Sequence, residues 1–321
     1  MGVRTRPESP RLAAQPASQI EQAAIRTVAY ADVFDYPLNA VEVHRYLHGT
    51  AATVEATEAA LARCSAPGGA LSRRHSLYTL HGRESLVGVR DRRAAIADRL
   101  WPAALRFARL IAGLPFVRMV GVTGSLAWHN VDDGGDIDYL IVTKPDRLWV
   151  CRWLIAALGR AARLDGVHLC PNYVISTRAL ALADRNLYTA YELARMTPIA
   201  GLAMYRRLRR ANPWVEAYLP NAVNPPRAPE RDAPHCSHRP RMGWARLARL
   251  TQRILESPLG ALLERGEMTY RIRKRLKLGN ETGEAAYGVD WCKGHYSGHA
   301  RRTLAAFAER VRALEAGELV S

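Results

Sequence analysis

Three apolar runs rich in β-branched residues, separated by helical segments, constrain the fold of this chain most strongly. They are FVRMVGVTG (116–124), DIDYLIVT (136–143) and GVHLCPNYVIS (166–176), and residues 147–164 have the apolar spacing of a helix. Strands that alternate with helices are typical of an α/β fold. The sequence therefore predicts an α/β (α+β) core with a small mixed sheet.

The segments on either side of this core have mainly helical patterns. Three helical stretches and a predicted hairpin near the N-terminus together resemble a winged helix-turn-helix. Asn39 is predicted to cap the second of these helices. The predicted organisation is a disordered N-terminus (1–18), a winged-helix-like domain (19–83), a connecting helix (84–114), the core (115–200) and a basic helical region (201–321) with a Pro-rich linker at 220–240.

Two carboxylates stand at the start of the second predicted strand. Side chains at positions i and i+2 of a strand face the same way, so Asp136 and Asp138 are expected to share one face while Ile137 points into the core. Carboxylates that lie this close repel each other unless a cation sits between them. Hard oxygen ligands on a rigid strand suit Mg²⁺, which prefers one or two carboxylates together with substrate phosphates.

A Gly-Ser pair stands where the first predicted strand ends and a short helix begins. Gly124 allows the backbone to approach a phosphate closely, and Ser125 adds a hydroxyl donor. Free backbone amides at such a turn attract an anion. An anion cradle and metal-holding carboxylates at one end of a small sheet fit a nucleoside triphosphate.

The order Gly-Ser, ten residues, then Asp-x-Asp resembles the DNA polymerase β-like nucleotidyltransferase superfamily, in particular its minimal members. The match covers about 25 residues. The resemblance implies that Gly124 and Ser125 hold the triphosphate and that Asp136 and Asp138 are catalytic and bind two Mg²⁺ (or Mn²⁺) ions. It implies transfer of a nucleoside monophosphate from a triphosphate, with ATP as the expected one, to an acceptor hydroxyl on a small molecule, a protein or an RNA.

One departure from this pattern concerns the base for the attacking hydroxyl. The superfamily usually carries a third carboxylate on a neighbouring strand. The third predicted strand holds His168 and Asn172 but no acid; Asp165 precedes it, and Asp184 and Glu192 follow on a predicted loop and helix. The base is then Asp165, a residue brought in by folding, or a group of the acceptor. A fold that binds nucleotide without turnover is the alternative.

Two basic residues follow the carboxylate strand. Lys144 and Arg147 could bind the nucleotide and neutralise a leaving pyrophosphate, or they could belong to a solvated turn. Further along, Asp290, Cys292, Lys293 and His295 surround a glycine and could touch phosphate or acceptor, although a turn leading into a helix is the expected structure. His235, Cys236 and His238 lack the second ligand pair of a zinc site and are assigned to the linker.

The charge balance favours a polyanionic partner. The formal net charge is +16, which suits a nucleotide and leaves nucleic acid as a possible partner through Arg73, Arg74 and the run at 270–277. The five cysteines are far apart and odd in number, which indicates a reducing, cytoplasmic location. No apolar run is long enough for a membrane span or a signal peptide, so no membrane partner is expected.

Alternatives to the enzyme remain at the level of sequence. One is a catalytically degenerate regulator that senses nucleotide or binds nucleic acid. Another is a toxin–antitoxin component that modifies a partner protein. Winged helices serve as protein-docking modules as well as DNA readers, so the N-terminal domain does not decide among these functions.

Overall fold

The computed structural model describes residues 17–226, 250–277, 286–294 and 298–317. Residues 1–16 of the predicted disordered N-terminus lie outside this part of the chain, as do residues 227–240 of the predicted linker. The described chain is a mixed α/β protein with small sheets. Across those same residues, no helix has the length and apolar character needed to cross a membrane.

Within the described residues, the N-terminal part contains three helices and an antiparallel sheet. The helices are α1 (Ala17–Asp32), α2 (Ala40–Arg45) and α3 (Val54–Cys64), and the strands β1 (Leu38–Asn39), β2 (Leu71–Arg74) and β3 (Leu77–Leu80) pair in the order β1-β3-β2. Asn39 caps α2, as predicted: its side chain accepts the Glu42 N–H at 2.8 Å, and the Glu42 carboxylate accepts the Asn39 N–H at 2.9 Å. This capping box satisfies two donors that a helix start leaves free.

A long helix, α4 (Leu86–Ala112), connects this part to a larger mixed sheet, whose described strands number six. The strands are β4 (Val117–Val122), β5 (Ile137–Thr143), β6 (Leu169–Ser176), β7 (Thr197–Ala200), β8 (Ala286–Tyr287) and β9 (Trp291–Lys293), in the order β7-β4-β5-β6-β9-β8. β5 and β6 are parallel and are joined through helix α6 (Leu148–Leu164), whereas the other neighbours are antiparallel. A parallel pair needs such a crossover helix.

Apolar residues cover both faces of this sheet. Along β5, Ile137, Tyr139 and Ile141 pack into one core with α4 and α6, while Leu140 and Val142 pack into a second core on the opposite face. Further helices are α5 (Gly124–Ala127), α7 (Leu187–Arg195), α8 (Leu202–Arg210), α9 (Val215–Tyr218), α10 (Pro258–Lys277) and α11 (His299–Glu315). Residues of α7, α8 and α11 contribute to the second core.

The C-terminal region is not purely helical, which corrects the sequence prediction for 201–321. The stretch around Lys293, expected to be a turn before a helix, is strand β9, which pairs with β6 and with β8. Strands of two or three residues are too short to show alternation in the sequence. The conformation of this segment depends on its pairing with β6, which is distant in sequence, so the local residue pattern does not predict it.

A buried aromatic cluster joins the N-terminal helices to the core. Tyr30 of α1 stacks on Tyr191 of α7, with ring centroids 4.1 Å apart and planes 9° apart. The guanidinium of Arg195, which is only 4% exposed, lies 3.3 Å from the centre of the Trp128 ring and 4.3 Å from that of Tyr46. A desolvated cation over aromatic faces is a strong contact. The two parts of the chain are thereby packed into one buried interface.

Candidate active site

The two predicted metal ligands stand at the amino end of β5. Ile137 is fully buried, whereas Asp138 is partly exposed and Asp136, just before the strand, is exposed. Oxygen atoms of both carboxylates and the sulfur of Cys170 all lie within 4.8 Å of one another. The two-residue period of a strand thus brings Asp136 and Asp138 to one side, as the sequence predicts.

Cys170 reaches this group because β6 runs beside β5 in parallel register. The Cα of Asp138 pairs with that of Cys170, and the thiol sulfur lies within 4.8 Å of an oxygen of the Asp138 carboxylate. Burial and the neighbouring carboxylates raise the pKa of this thiol. No sequence motif marks Cys170, although it stands on the neighbouring strand where a third carboxylate was expected.

The carboxyl group of Asp138 is largely shielded from solvent and lies near the carboxyl groups of Asp136 and Glu192. Burial, then the Asp136 carboxylate, then that of Glu192 raise its pKa from 3.8 to about 8. Within the described residues, no Lys, Arg or His forms an ion pair with Asp136 or Asp138, although the full chain has 46 Lys and Arg residues. Neighbouring carboxylates that lack a cationic partner among the described residues create a position where a divalent cation is favoured.

The Gly-Ser bend touches the same carboxylate. Gly124 has φ +62°, and a Cβ at this position would overlap the Oδ2 atom of Asp138. The preceding Thr123 donates its N–H to the carbonyl oxygen of Asp138 at 3.0 Å, and the partly buried Ser125 follows in α5. Only glycine satisfies both the left-handed backbone and the close approach.

A further acid reaches this bend from α7. The carboxylate of Glu192 lies near the backbone N–H of Gly124, and it is near enough to Asp138 to raise the pKa of that residue. Burial raises the pKa of Glu192 to about 7, against the opposing effects of the Gly124 amide, Lys293 and Arg195. The sequence predicts that Glu192 lies on a helix after the third strand and assigns it no specific role. Its one signal is an acid between two apolar residues, Tyr191 and Leu193, that the fold buries.

A pocket of about 490 Å³, including its open mouth, lies on the Glu192 side of the site; Thr123 and Glu192 line it, whereas Asp136 and Asp138 do not. The polar side chains on its wall are Thr123, Asn172, Tyr173, Asp184, Tyr188, Thr189, Glu192 and Lys293. The ammonium of Lys293, on β9, is mostly buried and forms an ion pair with the half-exposed Asp184. Lys293 was a minor candidate in the sequence, and the fold brings it to the pocket from the far end of the chain.

The structure does not bring Lys144 and Arg147 to this site. The carboxylates stand at the amino end of β5, whereas Lys144 follows its carboxyl end, six residues and about 20 Å further along. Both cations instead lie over the ring of Phe116, the Lys144 nitrogen at 5.9 Å and the Arg147 guanidinium carbon at 5.6 Å from its centre. The direction of the strand therefore separates these residues from the acids that they follow in sequence.

The residues present fit a divalent cation. Two carboxylates converge on one side of a rigid strand, lack an ion-pair partner among the described residues and adjoin a pocket that carries a lysine. This donor set is one that Mg²⁺ and Mn²⁺ accept. Comparison with protein-family models, curated proteins and solved structures finds no match to this chain.

Proposed function

We propose that this protein is a nucleotidyltransferase that uses Mg²⁺ or Mn²⁺ to transfer a nucleoside monophosphate from a triphosphate, ATP by expectation, to an acceptor hydroxyl. One observation carries the proposal: the Gly124 bend, Asp136 and Asp138 meet at the same end of the central sheet. This is the arrangement expected from the resemblance to the DNA polymerase β-like superfamily. A metal-bound triphosphate needs carboxylates and an unhindered backbone side by side.

The roles follow from position. Asp136 and Asp138 would hold the metal ions, which when bound would neutralise phosphate oxygens and orient the triphosphate for in-line attack. Gly124 would let the backbone approach the phosphates, with the Ser125 hydroxyl as a donor. Lys293, rather than Lys144 or Arg147, is the cation placed to offset negative charge on the triphosphate, because it lines the adjoining pocket.

Glu192 is our candidate for the base that accepts the proton of the acceptor hydroxyl. It lines the pocket beside the carboxylate pair, and its pKa of about 7 suits proton transfer near neutral pH. The acceptor would occupy the pocket, with its hydroxyl between Glu192 and the metal-bound phosphate. A helix-borne acid would then do the work that the strand-borne acid of related enzymes does.

The finer fold assignments belong to the same proposal. We assign residues 115–200 to a nucleotidyltransferase-type core, extended by the strands of the C-terminal region. We assign the three N-terminal helices and their sheet to a winged-helix-type domain, because two short helices precede a β-hairpin there.

The test is the transfer of label from triphosphates. The purified protein is incubated with each α-labelled triphosphate, Mg²⁺ or Mn²⁺ and cell extract, and label is followed into protein, RNA and small-molecule fractions. A parallel series with γ-labelled triphosphates separates nucleotidyl from phosphoryl transfer. Asp138→Asn is the inactive variant, and Asp133→Asn, an exposed acid of the preceding turn, is the matched control.

We expect α-label, and no γ-label, to be transferred by the wild type and by Asp133→Asn. Asp138→Asn should transfer at least about 100-fold less, because one bound metal ligand contributes several kcal/mol to the transition state. Transfer that is unchanged in Asp138→Asn would refute the assignment of the site. No transfer or triphosphate cleavage with any nucleotide would refute the activity.

A further inference from the structure

The thiol beside the two carboxylates has a position that a simple oxygen-ligand site does not need. Cys170 lies on β6, directly across from Asp138 on β5, and its sulfur is within 4.8 Å of an oxygen of each acid. The other cysteines that the structure describes, Cys64, Cys151 and Cys292, are buried away from this group. Among the described residues, this is the group in which three side chains that can bind a metal, two carboxylates and a thiol, lie close together.

The chemistry of sulfur separates this group from a magnesium site. Mg²⁺ takes oxygen ligands, whereas a thiolate favours borderline and soft ions, among which Zn²⁺ is bound by cysteine and carboxylate together. Zinc sites that remain open to substrate use three protein ligands and leave one position free. Two carboxylates and one thiol provide three such ligands, next to a pocket where a fourth could enter.

The distances allow such a site after a small contraction. Zinc bonds of about 2.0–2.3 Å in a tetrahedron hold neighbouring ligand atoms about 3.5 Å apart, against an upper separation of 4.8 Å in this group. The shift needed is about 1 Å, which side-chain rotation can supply. The close approach of the Asp136 and Asp138 carboxylates to the Cys170 sulfur provides the donor atoms for such a contraction.

We infer that Asp136, Asp138 and Cys170 form a mixed carboxylate–thiolate site that holds a thiophilic divalent cation, Zn²⁺ in type, with sulfur as a direct ligand. The inference rests on the proposed function in that Asp136 and Asp138 are also the carboxylates that would hold Mg²⁺ or Mn²⁺ during transfer, so the thiophilic ion would compete with those ions for this position. On binding, the S–H bond of Cys170 breaks, its proton passes to solvent, and a metal–sulfur bond forms.

The test follows the metal–sulfur bond itself, without turnover. Chelator-treated full-length protein is titrated with Cd²⁺, a spectroscopic substitute for Zn²⁺, and the ultraviolet sulfur-to-metal charge-transfer band is recorded. Zn²⁺ and Mg²⁺ affinities are measured by calorimetry. The variants are Cys170→Ser and Asp138→Asn, with Cys236→Ser as the matched control for a thiol in the His235–His238 segment, which lies outside the described residues. Circular dichroism checks that each variant folds.

We expect one charge-transfer band per chain in the wild type and in Cys236→Ser, and none in Cys170→Ser. Zn²⁺ affinity should fall at least about tenfold in Cys170→Ser, the smallest effect usual for residues that support a metal, while Mg²⁺ affinity should stay the same. Asp138→Asn should weaken both ions. Because Zn²⁺ exceeds Mg²⁺ in affinity at most sites, the change caused by Cys170→Ser, and not the order of the ions, is diagnostic.

The inference would be overturned by a band that survives in Cys170→Ser or disappears in Cys236→Ser, or by equal losses of Zn²⁺ and Mg²⁺ affinity in a folded Cys170→Ser. These results are separable from failure of the proposed function. Nucleotidyl transfer with Mg²⁺ but no metal–sulfur band would refute the thiolate site alone. A band with no transfer from any triphosphate would refute the activity alone.

Discussion

Asp138→Asn should stabilise the metal-free protein while destroying its metal site. The carboxyl of Asp138 has its pKa raised from 3.8 to about 8, first by burial and then by Asp136 and Glu192. An acid whose pKa is raised in the folded state lowers stability as the pH rises from its unfolded pKa to its folded pKa. Asparagine keeps the shape of the side chain and removes that effect.

The raised pKa of Asp138 sets an upper bound on the stability that its carboxyl group costs the folded protein. At pH 7 the distance from the unfolded pKa of 3.8 is about three units, and one unit corresponds to about 1.4 kcal/mol. The upper bound is therefore about 4 kcal/mol. Relaxation and water entry around a carboxyl that is still partly exposed reduce it, and we expect a gain of about 1–2 kcal/mol for Asp138→Asn, or roughly 2–6 °C in Tm.

The assay is thermal unfolding followed by circular dichroism, in chelator, at pH 4.5 and pH 8. The difference in Tm between Asp138→Asn and wild type should be small at pH 4.5, less than one pH unit above the unfolded pKa, and several times larger and positive at pH 8. Asp133→Asn, whose carboxylate is exposed, should show little change at either pH. Added divalent cation should raise the Tm of the wild type and leave Asp138→Asn nearly unaffected.

A loss of stability in Asp138→Asn, in place of the expected gain, would contradict this explanation. If Asp138→Asn were less stable than wild type at pH 8 in chelator, the carboxylate would be compensated by a cation of the protein itself. A metal ion would then not be needed to explain the pair. A gain of equal size at both pH values would show that the effect arises from packing and not from ionisation.

Three further variants test neighbouring parts of the site. Gly124→Ala should unfold at a Tm several degrees lower and lose metal-dependent stabilisation, because its Cβ would overlap the Asp138 carboxylate and φ is +62°. Glu192→Gln should remove the rise in transfer rate that we expect through about pH 7 as Glu192 loses its proton, a difference visible in the pH profile. Arg195→Lys should cost about 2 kcal/mol in urea unfolding, because a compact ammonium cannot replace the planar guanidinium that stacks on Trp128.

The part of the site that the sequence predicts is the part set by local geometry. The placement of Asp136 and Asp138 on one side follows from the two-residue period of a strand, and the position of Gly124 follows from the turn that ends the preceding strand. The cap at Asn39 is equally local, since donor and acceptor are three residues apart. Within such short spans, covalent geometry and hydrogen bonding leave few alternatives.

The part that the sequence does not predict depends on segments far apart in the chain. Glu192 meets Gly124 only because α7 packs on the face of the sheet that bears Asp138, and Lys293 arrives through a three-residue strand beside β6. Cys170 depends on the register between β5 and β6, where a slip of one residue would turn its side chain away. Register and packing are fixed by the whole core, so no short motif indicates them.

Strand direction explains why the basic residues were misplaced. Lys144 and Arg147 are near Asp138 in sequence, but β5 carries them about 20 Å away. Residues that are close in sequence lie close in space when a turn separates them. Residues at opposite ends of one strand lie far apart. The cation near the acids is instead Lys293, which is 155 residues from Asp138 (293 − 138).

The charge on α3 bears on the rival function, a regulator that binds nucleic acid. In a winged helix-turn-helix this helix would enter the DNA groove, yet its exposed ionic residues include Glu55 and Glu58, and its Arg63 is paired with Glu21. Negative charge facing a phosphate backbone opposes binding. The exposed arginines of α8 lie elsewhere, so the positive net charge of the chain does not provide α3 with a DNA-binding face. This charge pattern favours contact of α3 with a protein, or with another part of the acceptor, over binding of α3 to duplex DNA.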